Sequence, residues 1–313
     1  MAPKTIRIGT RGSPLALVQT RWVEAQLLDL HPGVATELVI IKTTGDKLKD
    51  VPLAQVGGKG LFIKEIEEAL LAGEVDLAIH SLKDMPAEMP PGCVLGAVPP
   101  REDCRDAFIS HRHASLTEIP AGGRVGTGSL RRKVQVLHRR PDLEVVHLRG
   151  NVDTRLRKLE TEGLDAIILA AAGLKRLGLG HIPKGYLDEA EMLPAIGQGA
   201  LGLEVRAGDQ EMLDLLAPLN HVPTQVAVTA ERAFLARLEG GCLVPVAALG
   251  RLAEDGSLTL EALISDLEGK RLLQDRLTGL PEEARSMGLR LAEMLLDRGG
   301  REILQAICGK PLS

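Results

Sequence analysis

The feature of this sequence that most constrains the fold is an alternation of short apolar runs with segments of helical periodicity. Residues 5–9, 37–42 and 75–80 are apolar runs of strand length. Residues 14–30 and 61–71 lie between them and carry apolar side chains at helical spacing. Because strands that alternate with helices pair in parallel, this region predicts a parallel sheet built from βαβ units.

The alternation restarts after the prolines at positions 99 and 100. A further strand is expected at 201–206, where it could return to the first sheet. Between residues 100 and 201 the predicted elements are strands at 124–127, 143–148 and 166–170 and helices at 129–138 and 151–160.

A third pattern begins after residue 217, where helices flank two alternating strands. The helices are predicted at 224–238 and 282–298, and the strands at 246–252 and 258–265. A chain of 313 residues is long enough for two or three domains. The pattern therefore predicts an α/β fold of two doubly wound lobes around a cleft, like those of periplasmic binding proteins, with a smaller C-terminal α+β domain. The predicted boundaries are 1–99 with 200–217, 100–199, and 218–313.

Positive charge is concentrated in the second lobe. Ten Lys and Arg residues face only three Asp and Glu residues between Arg124 and Lys158, although the chain has a formal net charge of −4. Such segregation is typical of a protein that binds an anion. Nucleic acid fits poorly, because the pI is about 6.1 and none of the five aromatic residues lies in this block to stack on bases. A small molecule with several carboxylates or phosphates fits better, since guanidinium groups bind either one bidentately.

Polar segments follow four of the predicted strands at their carboxyl ends. Backbone N–H groups and the helix dipole favour anions there, so four such junctions facing one cleft would bind several carboxylates. Any single junction could instead be only a structural helix cap, and Lys133, Arg139, Arg140 and Lys158 are expected to form a solvated helix face. The four segments are TRGS (10–13), HSLKDMP (80–86), GTGSLRR (126–132) and LRGN (148–151).

The remaining sequence features bear on location and metal content. The first residues lack the apolar core of a signal peptide, and no run of eighteen apolar residues is present, so we expect a cytoplasmic protein without a membrane span. The four cysteines form no C-x-x-C pair and no metal-like spacing with histidine, which predicts a reduced chain without a metal site. The sequence has no long amphipathic helix pattern that would need a partner chain to cover its apolar face, so a monomer is expected.

Seven motifs spread over nearly the whole chain resemble those of the porphobilinogen deaminase family. One position departs from the family pattern, because Gly128 stands where a second serine is common. We expect this departure to remove one hydroxyl contact and to keep the backbone N–H. The motifs are RGSPLAL (11–17), VGGKGLF (56–62), HSLKDMP (80–86), SLRR (129–132), LRGN (148–151), PAIGQG (194–199) and LEGGCLVP (238–245).

The resemblance implies a reaction in which four porphobilinogen molecules are condensed head to tail into hydroxymethylbilane, with loss of four ammonia molecules. Each pyrrole carries an acetate and a propionate group, so the growing chain is a polyanion of the kind that the arginine block suits. The family primes itself with a dipyrromethane cofactor held by a cysteine thioether, one per chain. Porphobilinogen and the polypyrrole intermediates are then the expected partners, without nucleic acid or membrane.

Cys242 is the expected point of attachment of that cofactor. Any of the four cysteines alone could be a buried inert thiol, and Cys93 lies in a strand-like run that suits a small core residue. Cys242 differs because Gly240 and Gly241 precede it and allow a close approach to the backbone. Its thiolate would attack an electrophilic methylene carbon once.

Asp84 is the expected catalytic residue. An aspartate before Met-Pro could simply be a turn residue that hydrogen-bonds its own backbone. The implied chemistry favours a catalytic role, since loss of ammonia produces a cation that a fixed carboxylate would stabilise. Lys83 is expected to point away from Asp84 in an extended segment and to bind a cofactor carboxylate.

The resemblance also implies roles for other polar residues, which fall into two sets. Arg176 would otherwise pass as a solvated helix charge. The segment 43–60, rich in glycine, is expected to be a long loop and an active-site lid. The implied substrate ligands are Arg11, Arg149 and Arg155, with Ser13 and Lys59 as weaker candidates, and the implied cofactor ligands are Lys83, Ser129, Arg131, Arg132 and Arg176, with Ser81 and Thr127 as weaker ones.

A non-enzymatic solute-binding or effector-sensing module is the alternative, because two α/β lobes around a cleft suit it equally well. The absence of a signal peptide disfavours a periplasmic receptor, and the absence of a helix-turn-helix segment disfavours a transcriptional regulator. A binding module would also have no use for Cys242.

Overall fold

The computed structural model describes residues 4–47, 63–238 and 244–309. The chain divides into two compact units. Unit 1 comprises Met1–Glu102 and Ala200–Gln225, and unit 2 comprises Asp103–Gly199 and Val226–Ser313. Unit 2 therefore contains both the predicted second lobe and most of the predicted third domain, and the three predicted domain boundaries stay a prediction.

The strands of the described residues form three sheets, two with five strands and one with three. In chain order the strands are β1 (Lys4–Thr10), β2 (Val34–Ile40), β3 (Leu77–Ser81), β4 (Cys93–Ala97), β5 (Asp106–Ile109), β6 (Arg124–Thr127), β7 (Glu144–His147), β8 (Ala166–Ala170), β9 (Gly185–Leu187), β10 (Leu201–Arg206), β11 (Val246–Leu252), β12 (Leu258–Ser265) and β13 (Leu272–Gly279).

Helices lie in half of the connections between these strands, and no helix among the described residues is long and apolar enough to cross a membrane. In chain order they are α1 (Pro14–Leu30), α2 (Thr44–Lys47), α3 (Lys64–Leu71), α4 (Leu130–Arg139), α5 (Val152–Thr161), α6 (Ala171–Arg176), α7 (Gln210–Leu216), α8 (Val222–Arg237), α9 (Ala284–Leu295) and α10 (Arg301–Cys308).

The sheet of unit 1 has the strand order β2-β1-β3-β10-β4. Strand β1 pairs in parallel with β2 and β3, as the alternating pattern predicts. Strand β10 follows the second lobe in sequence and pairs antiparallel with β3 and β4, which confirms that residues 201–206 rejoin the first sheet. Ile6, Ile8, Leu77, Leu203 and Val205 are almost wholly buried and form the core beneath the sheet.

The second five-stranded sheet lies in unit 2 and has the order β7-β6-β8-β5-β9. Strand β6 pairs in parallel with β7 and β8, whereas β5 is antiparallel to β8 and β9. Phe108 of β5 is 1% exposed and packs in the core with Val125 and Ile168. The α/β prediction is therefore confirmed for this region as well.

The C-terminal part of unit 2 is an antiparallel sheet of β11, β12 and β13 covered by helices. Phe234 of α8 and Leu291 and Leu295 of α9 are fully buried against Leu260 of β12. This confirms the smaller α+β region. The helix predicted at 282–298 is shorter than expected, and Gly299, with a φ of 111°, separates α9 from α10 because only glycine adopts that backbone conformation readily.

Candidate active site

A small cavity in unit 1 collects several of the predicted site residues. Its volume is about 60 Å³. Strand β1 pairs directly with β3, with Ile8 opposite Leu77, so the segments that follow the two strands meet at the same edge of the sheet. The polar residues that line the cavity are Arg11, Ser13, Gln19, His80, Ser81 and Asp84.

The N-terminus of α1 forms one wall of this cavity. Ser13 is the N-cap residue, and its hydroxyl oxygen accepts a hydrogen bond from the backbone N–H of Ala16 at 3.3 Å. Pro14 occupies the first turn, where its missing N–H costs nothing. The positive end of a helix of 17 residues therefore lies beside Arg11, and the two together favour an anionic group.

Asp84 ends a short 3₁₀ turn, Leu82–Asp84, that follows β3. The expectation of an extended segment is therefore wrong. Leu82 is 2% exposed and fixes the turn, while Lys83 and Asp84 are exposed. Because a 3₁₀ turn has three residues per turn, neighbouring side chains still diverge, so Lys83 and Asp84 need not point the same way.

Gln19 is a cavity residue that sequence reasoning missed. Its side-chain amide donates to the hydroxyl of Ser81 at 2.9 Å, and that hydroxyl lies 3.2 Å from the amide oxygen of Gln19. Gln19 is 4% exposed, and it lies one helical turn before the buried Val23 on the inward face of α1. The available signal was a polar side chain at a position where the helical period calls for an apolar one.

Unit 2 contains a buried ionic cluster built on Asp106, the first residue of β5. Its carboxylate accepts a hydrogen bond from Nη1 of Arg131 at 2.7 Å and from Nη2 of Arg132 at 2.8 Å. Gln198 donates to the same carboxylate at 2.9 Å. Both arginines are 5% exposed and Asp106 is fully buried, so the predicted cofactor ligands Arg131 and Arg132 are held inside the protein by one counter-ion.

The charges of this cluster do not cancel. Burial alone would raise the pKa of Asp106, but the guanidiniums of Arg131 and Arg132 outweigh it and hold that pKa well below its usual range. One carboxylate thus faces two guanidiniums. Nε of Arg131 is buried and has no hydrogen-bond partner in the described structure. An unused donor beside surplus positive charge suits a further carboxylate, which is what a pyrrole cofactor carries.

Thr127 and Ser129 border the N-terminus of α4. Ser129 is the N-cap residue, and its hydroxyl lies 3.5 Å from the backbone nitrogen of Arg132. The Thr127 hydroxyl accepts from the backbone N–H of Ser129 at 3.2 Å. Gly128 between them is tightly placed, because a Cβ there would lie 2.6 Å from the carbonyl oxygen of Leu148. A serine at 128 would therefore not fit this backbone without a shift.

The predicted arginines Arg149, Arg155 and Arg176 also lie in unit 2. Nε of Arg155 donates to the carbonyl of Gly150 at 2.8 Å, and Nη2 of Arg176 donates to that of Gly199 at 2.8 Å. The pKa of His147 at the end of β7 is lowered, first by burial and then by the positive charges of Arg149, Arg155 and Lys158. Positive potential therefore surrounds the carboxyl end of β7.

Two arginines of the basic block bind backbone carbonyls in addition to being solvated as predicted, Arg139 being exposed and Arg140 partly exposed. Arg139 donates to the backbone carbonyls of Ala190 and Glu191. Arg140 donates to the carbonyls of Leu116 and Ile119 and pairs with Asp142 at 2.6 Å. In both cases the guanidinium stabilises a loop of unit 2.

Lys158 pairs with Glu162 one helical turn further on, at 3.0 Å. Such a pair on a helix surface is the kind of solvated interaction that the sequence predicted for this residue.

Three predicted features lie outside the described residues. They are Cys242, Lys59 and most of the loop 43–60, of which only residues 43–47 are described. Of the other cysteines, Cys93 is 5% exposed, as expected for a core residue, and Cys104 and Cys308 are partly exposed. Among the described residues, no three His, Cys, Asp or Glu side chains are grouped to hold a metal ion.

Comparison with known proteins identifies the family of the chain. Residues 6–214 match the family model described as "Porphobilinogen deaminase, dipyromethane cofactor binding domain", and residues 225–297 match "Porphobilinogen deaminase, C-terminal domain". The chain is 55% identical over 307 residues to the porphobilinogen deaminase of Syntrophotalea carbinolica, covering 98% of this chain and 97% of that one. It is 52% identical over 313 residues to that of Geobacter sulfurreducens, covering 100% and 98%. The chain belongs to the porphobilinogen deaminase family.

Solved structures of similar shape include two methionine-binding proteins. One is a putative methionine-binding lipoprotein of Bacillus subtilis, at a TM-score of 0.43 and 14% identity, with 70% of this chain and 90% of that one covered. The other is the methionine-binding protein MetQ, at a TM-score of 0.45 and 14% identity, with 76% and 97% covered.

Proposed function

We propose that this chain is a hydroxymethylbilane synthase, which joins four porphobilinogen molecules head to tail and releases four ammonia molecules. As a member of the porphobilinogen deaminase family it is a transferase whose N-terminal domain binds a dipyrromethane cofactor. The observation that carries the proposal is that Asp84 and Arg11 line one cavity at the carboxyl ends of two adjacent parallel strands. A carboxylate for a developing cation and a guanidinium for a substrate carboxylate thus lie in the same small space.

Asp84 is the proposed catalytic residue. The leaving of ammonia places positive charge on the pyrrole and its methylene carbon, and a fixed carboxylate stabilises that charge without being consumed. Asp84 is exposed at the end of a turn anchored by the buried Leu82, so its carboxylate can reach a molecule in the cavity. Arg11 and the N-terminus of α1 supply positive charge for the carboxylates of the same molecule.

The substrate and the growing product are expected to be bound by arginines. Arg11, Arg149 and Arg155 are the proposed ligands of substrate carboxylates, with Ser13 and Lys59 as weaker candidates. The lowered pKa of His147, caused by burial and then by Arg149 and Arg155, supports a positive site at the end of β7.

The dipyrromethane, when bound, supplies the free pyrrole α-carbon to which the first substrate is joined. Cys242 is the proposed thioether anchor. The residues proposed to bind its acetate and propionate groups are Lys83, Ser129, Arg131, Arg132 and Arg176, with Ser81 and Thr127 as weaker candidates. The unpartnered Nε of Arg131 and the surplus positive charge around Asp106 support this assignment.

A cytoplasmic monomer that acts in tetrapyrrole biosynthesis is the setting we propose. The partners are then porphobilinogen and the polypyrrole intermediates, without nucleic acid or membrane.

Intact-mass spectrometry of the purified chain tests the proposal. We expect a mass above the sequence mass by two linked pyrroles, with the adduct on the peptide that contains Cys242. Cys242→Ser should lose both adduct and porphobilinogen consumption, while the matched control Cys104→Ser should keep both. An unmodified chain that turns over porphobilinogen would contradict the anchor, and a chain that binds but never consumes it would favour a binding module.

A further inference from the structure

Unit 1 holds a cluster of ionisable side chains between β3, β4, β10 and α3 that the proposed function leaves without a role. It consists of His80 and Glu204 with Cys93 and Glu67 beside them. His80 also lines the cavity that contains Asp84. The cluster therefore connects the candidate site with the interior of the sheet.

The central pair is His80 and Glu204. Nε2 of His80 lies 2.9 Å from Oε2 of Glu204. The strand register explains the contact, because β10 runs antiparallel to β3 with Gly202 opposite His80 and Glu204 opposite Ala78. Side chains two residues apart lie on the same face of a strand, so Glu204 is a diagonal neighbour of His80.

Burial of this ionisable pair costs free energy, so we expect the pair to have a function. Glu204 is fully buried and His80 is 5% exposed. Neither carboxylate oxygen of Glu204 has a well-aligned hydrogen bond in the described structure, and the same holds for Nε2 of His80 despite the short distance between the two groups. A buried carboxylate that lacks donors is strongly unfavourable, and an imidazole with its proton on Nε2 places a donor 2.9 Å from Glu204 while Nδ1 stays unprotonated.

The other groups around the pair are mostly acidic or neutral. Burial, and then the charge of Glu204, raises the pKa of the half-buried Glu67 of α3. Burial, and then Glu204, raises the pKa of the Cys93 thiol of β4 to about 12, so this thiol stays neutral. The charge of Arg206 acts against the rise in the pKa of Cys93, and its guanidinium is engaged by Asp76 and Asp209.

Asp84 and Arg11 face His80 from the cavity side. The carboxylate of Glu204 lies 2.9 Å from Nε2, so Nδ1 is the ring nitrogen available to a group in the cavity that His80 lines. A carboxylate on one ring nitrogen fixes the tautomer and orientation of the ring, which is the arrangement of a proton-accepting histidine.

We propose that His80, positioned by Glu204, accepts the proton that leaves the pyrrole α-carbon in each condensation step. This inference rests on the proposed function. In that step the C–N bond of the protonated aminomethyl group breaks, ammonia departs, and a C–C bond forms between the methylene carbon and the α-carbon of the terminal ring. The α-carbon then releases its hydrogen as a proton to Nδ1 of His80.

The proton passes from His80 to the departing ammonia, which leaves as ammonium, so atoms and charge balance without an oxidant or reductant. This division of work lets Asp84 remain anionic while it stabilises the cation. Glu204 stabilises the imidazolium for as long as it holds the proton, and is a positioning residue because it acts through His80.

His80→Asn is the principal test, with porphobilinogen carrying deuterium at the free α-carbon as the probe. We expect kcat to fall by ~100-fold or more, as for loss of a general base. Removal of the α-proton should then limit the rate, so that the isotope effect on kcat rises above that of the wild type. Added imidazole should restore part of the rate. A merely structural role for His80 would move neither the isotope effect nor the response to imidazole.

Glu204→Gln is a second, independent test of the proposal, and it keeps the size of the side chain. We expect a loss of ~10-fold in kcat, as for the outer partner of a functional histidine, with an altered pH profile and little change in KM. The matched control is Asp214→Asn, which removes an exposed carboxylate that accepts a hydrogen bond from Gln210 on α7 and should leave the isotope effect and pH profile unchanged.

The outcomes separate this inference from the proposed function. If the wild type carries no adduct and consumes no porphobilinogen, the proposed function fails and this inference with it. If the wild type is active and either folded variant keeps wild-type kcat and isotope effect, the role of His80 is overturned while the proposed function stands.

Discussion

The carboxylate of Asp84 in unit 1 is exposed at the end of a turn, whereas the guanidiniums of Arg131 and Arg132 in unit 2 are buried against Asp106. Both sites follow the carboxyl ends of parallel strands and begin beside the N-cap serine of a helix. The two sites differ in whether their charged side chains are already paired with an opposite charge inside the protein. We propose that the carboxylate of Asp84 acts on a ligand, whereas Asp106 already neutralises part of the positive charge of Arg131 and Arg132.

Because of this difference, we expect substitutions at the two sites to affect turnover and stability differently. An exposed group that contacts no buried partner contributes little to folding, so its removal should affect the reaction alone. A buried carboxylate that holds two guanidiniums is part of the core, and its removal leaves two charges uncompensated. We therefore expect substitutions in unit 1 to act on turnover and those around Asp106 to act on the fold as well.

The largest effect is expected for Asp84→Asn. Turnover should fall by ~10²–10⁴-fold, because a neutral amide cannot stabilise the developing cation as a carboxylate does. The adduct on Cys242 and the thermal midpoint should stay close to those of the wild type, since Asp84 is exposed. Steady-state kinetics, intact mass and a thermal melt check the three statements, and near-normal turnover would remove Asp84 from its role.

Asp106→Asn should show the opposite profile. Breaking a buried pair by removing one partner typically costs about 3–5 kcal/mol, so we expect the free energy of unfolding in urea to fall by about that amount. Asp142→Asn is the control, because it removes a carboxylate paired with Arg140 at an exposed position and should change stability far less. Equal effects of the two substitutions would contradict the view that Asp106 organises the interior of unit 2.

The pH dependence of stability in the wild type and in Asp106→Asn tests the same role of Asp106. The pKa of Asp106 is lowered in the folded chain, because Arg131 and Arg132 outweigh the effect of burial. Its stabilising contribution is therefore complete above the ordinary aspartate pKa of about 3.9 and is lost as the pH falls through the lower folded value. The difference in unfolding free energy between wild type and Asp106→Asn should be constant from pH 5 to 7, both values being about a unit or more above that pKa. It should shrink in more acidic solution, and a difference that shrinks instead toward pH 7 would contradict the assignment.

Local sequence patterns predicted the elements that build these sites. Helix α1 and strands β6, β8 and β10 have the bounds that the pattern predicts, because each has a clear period or an apolar run. Helices α4 and α5 begin one residue later than predicted, since Ser129 and Asn151 are N-caps and not helical residues. Strand β5 was missed, because it is short and begins with Asp106, a residue type that is rare in strands.

Partners distant in sequence were beyond such reasoning. Asp106 meets Arg131 and Arg132 only because β5 lies beside β8 in the sheet, a pairing that no local pattern encodes. His80 and Glu204 meet because β10 returns to unit 1, and that strand was predicted while its register was not. Among the described residues, motif positions such as Arg11, Asp84 and Ser129 follow strands, whereas Asp106 and Glu204 come from elsewhere in the chain.

Gly128→Ser should destabilise the protein even though it introduces the residue that is common in the family. A Cβ at this position would lie 2.6 Å from the carbonyl oxygen of Leu148, so the backbone that carries Arg149 must shift. Overpacking of this kind costs roughly 1–3 kcal/mol, and we expect a lower thermal midpoint together with a higher KM. Gly185→Ser in the same unit is the control, because nothing lies within 4 Å of its added Cβ. A thermal midpoint equal to that of Gly185→Ser would show that the backbone of residues 148–150 shifts without cost, and would contradict this prediction.

The smallest effects are expected for the two N-cap serines, and they compare the sites directly. Ser13→Ala and Ser129→Ala each remove the acceptor at a helix N-terminus and should lower the free energy of unfolding by about 1 kcal/mol. Their functional consequences should differ, with a higher KM for Ser13→Ala and a lower yield of adduct for Ser129→Ala. Replacement by threonine keeps the cap and the hydroxyl, so it should restore both stability and function. If threonine restores stability alone, the serine acts as a cap and the proposed ligand role of that residue is wrong.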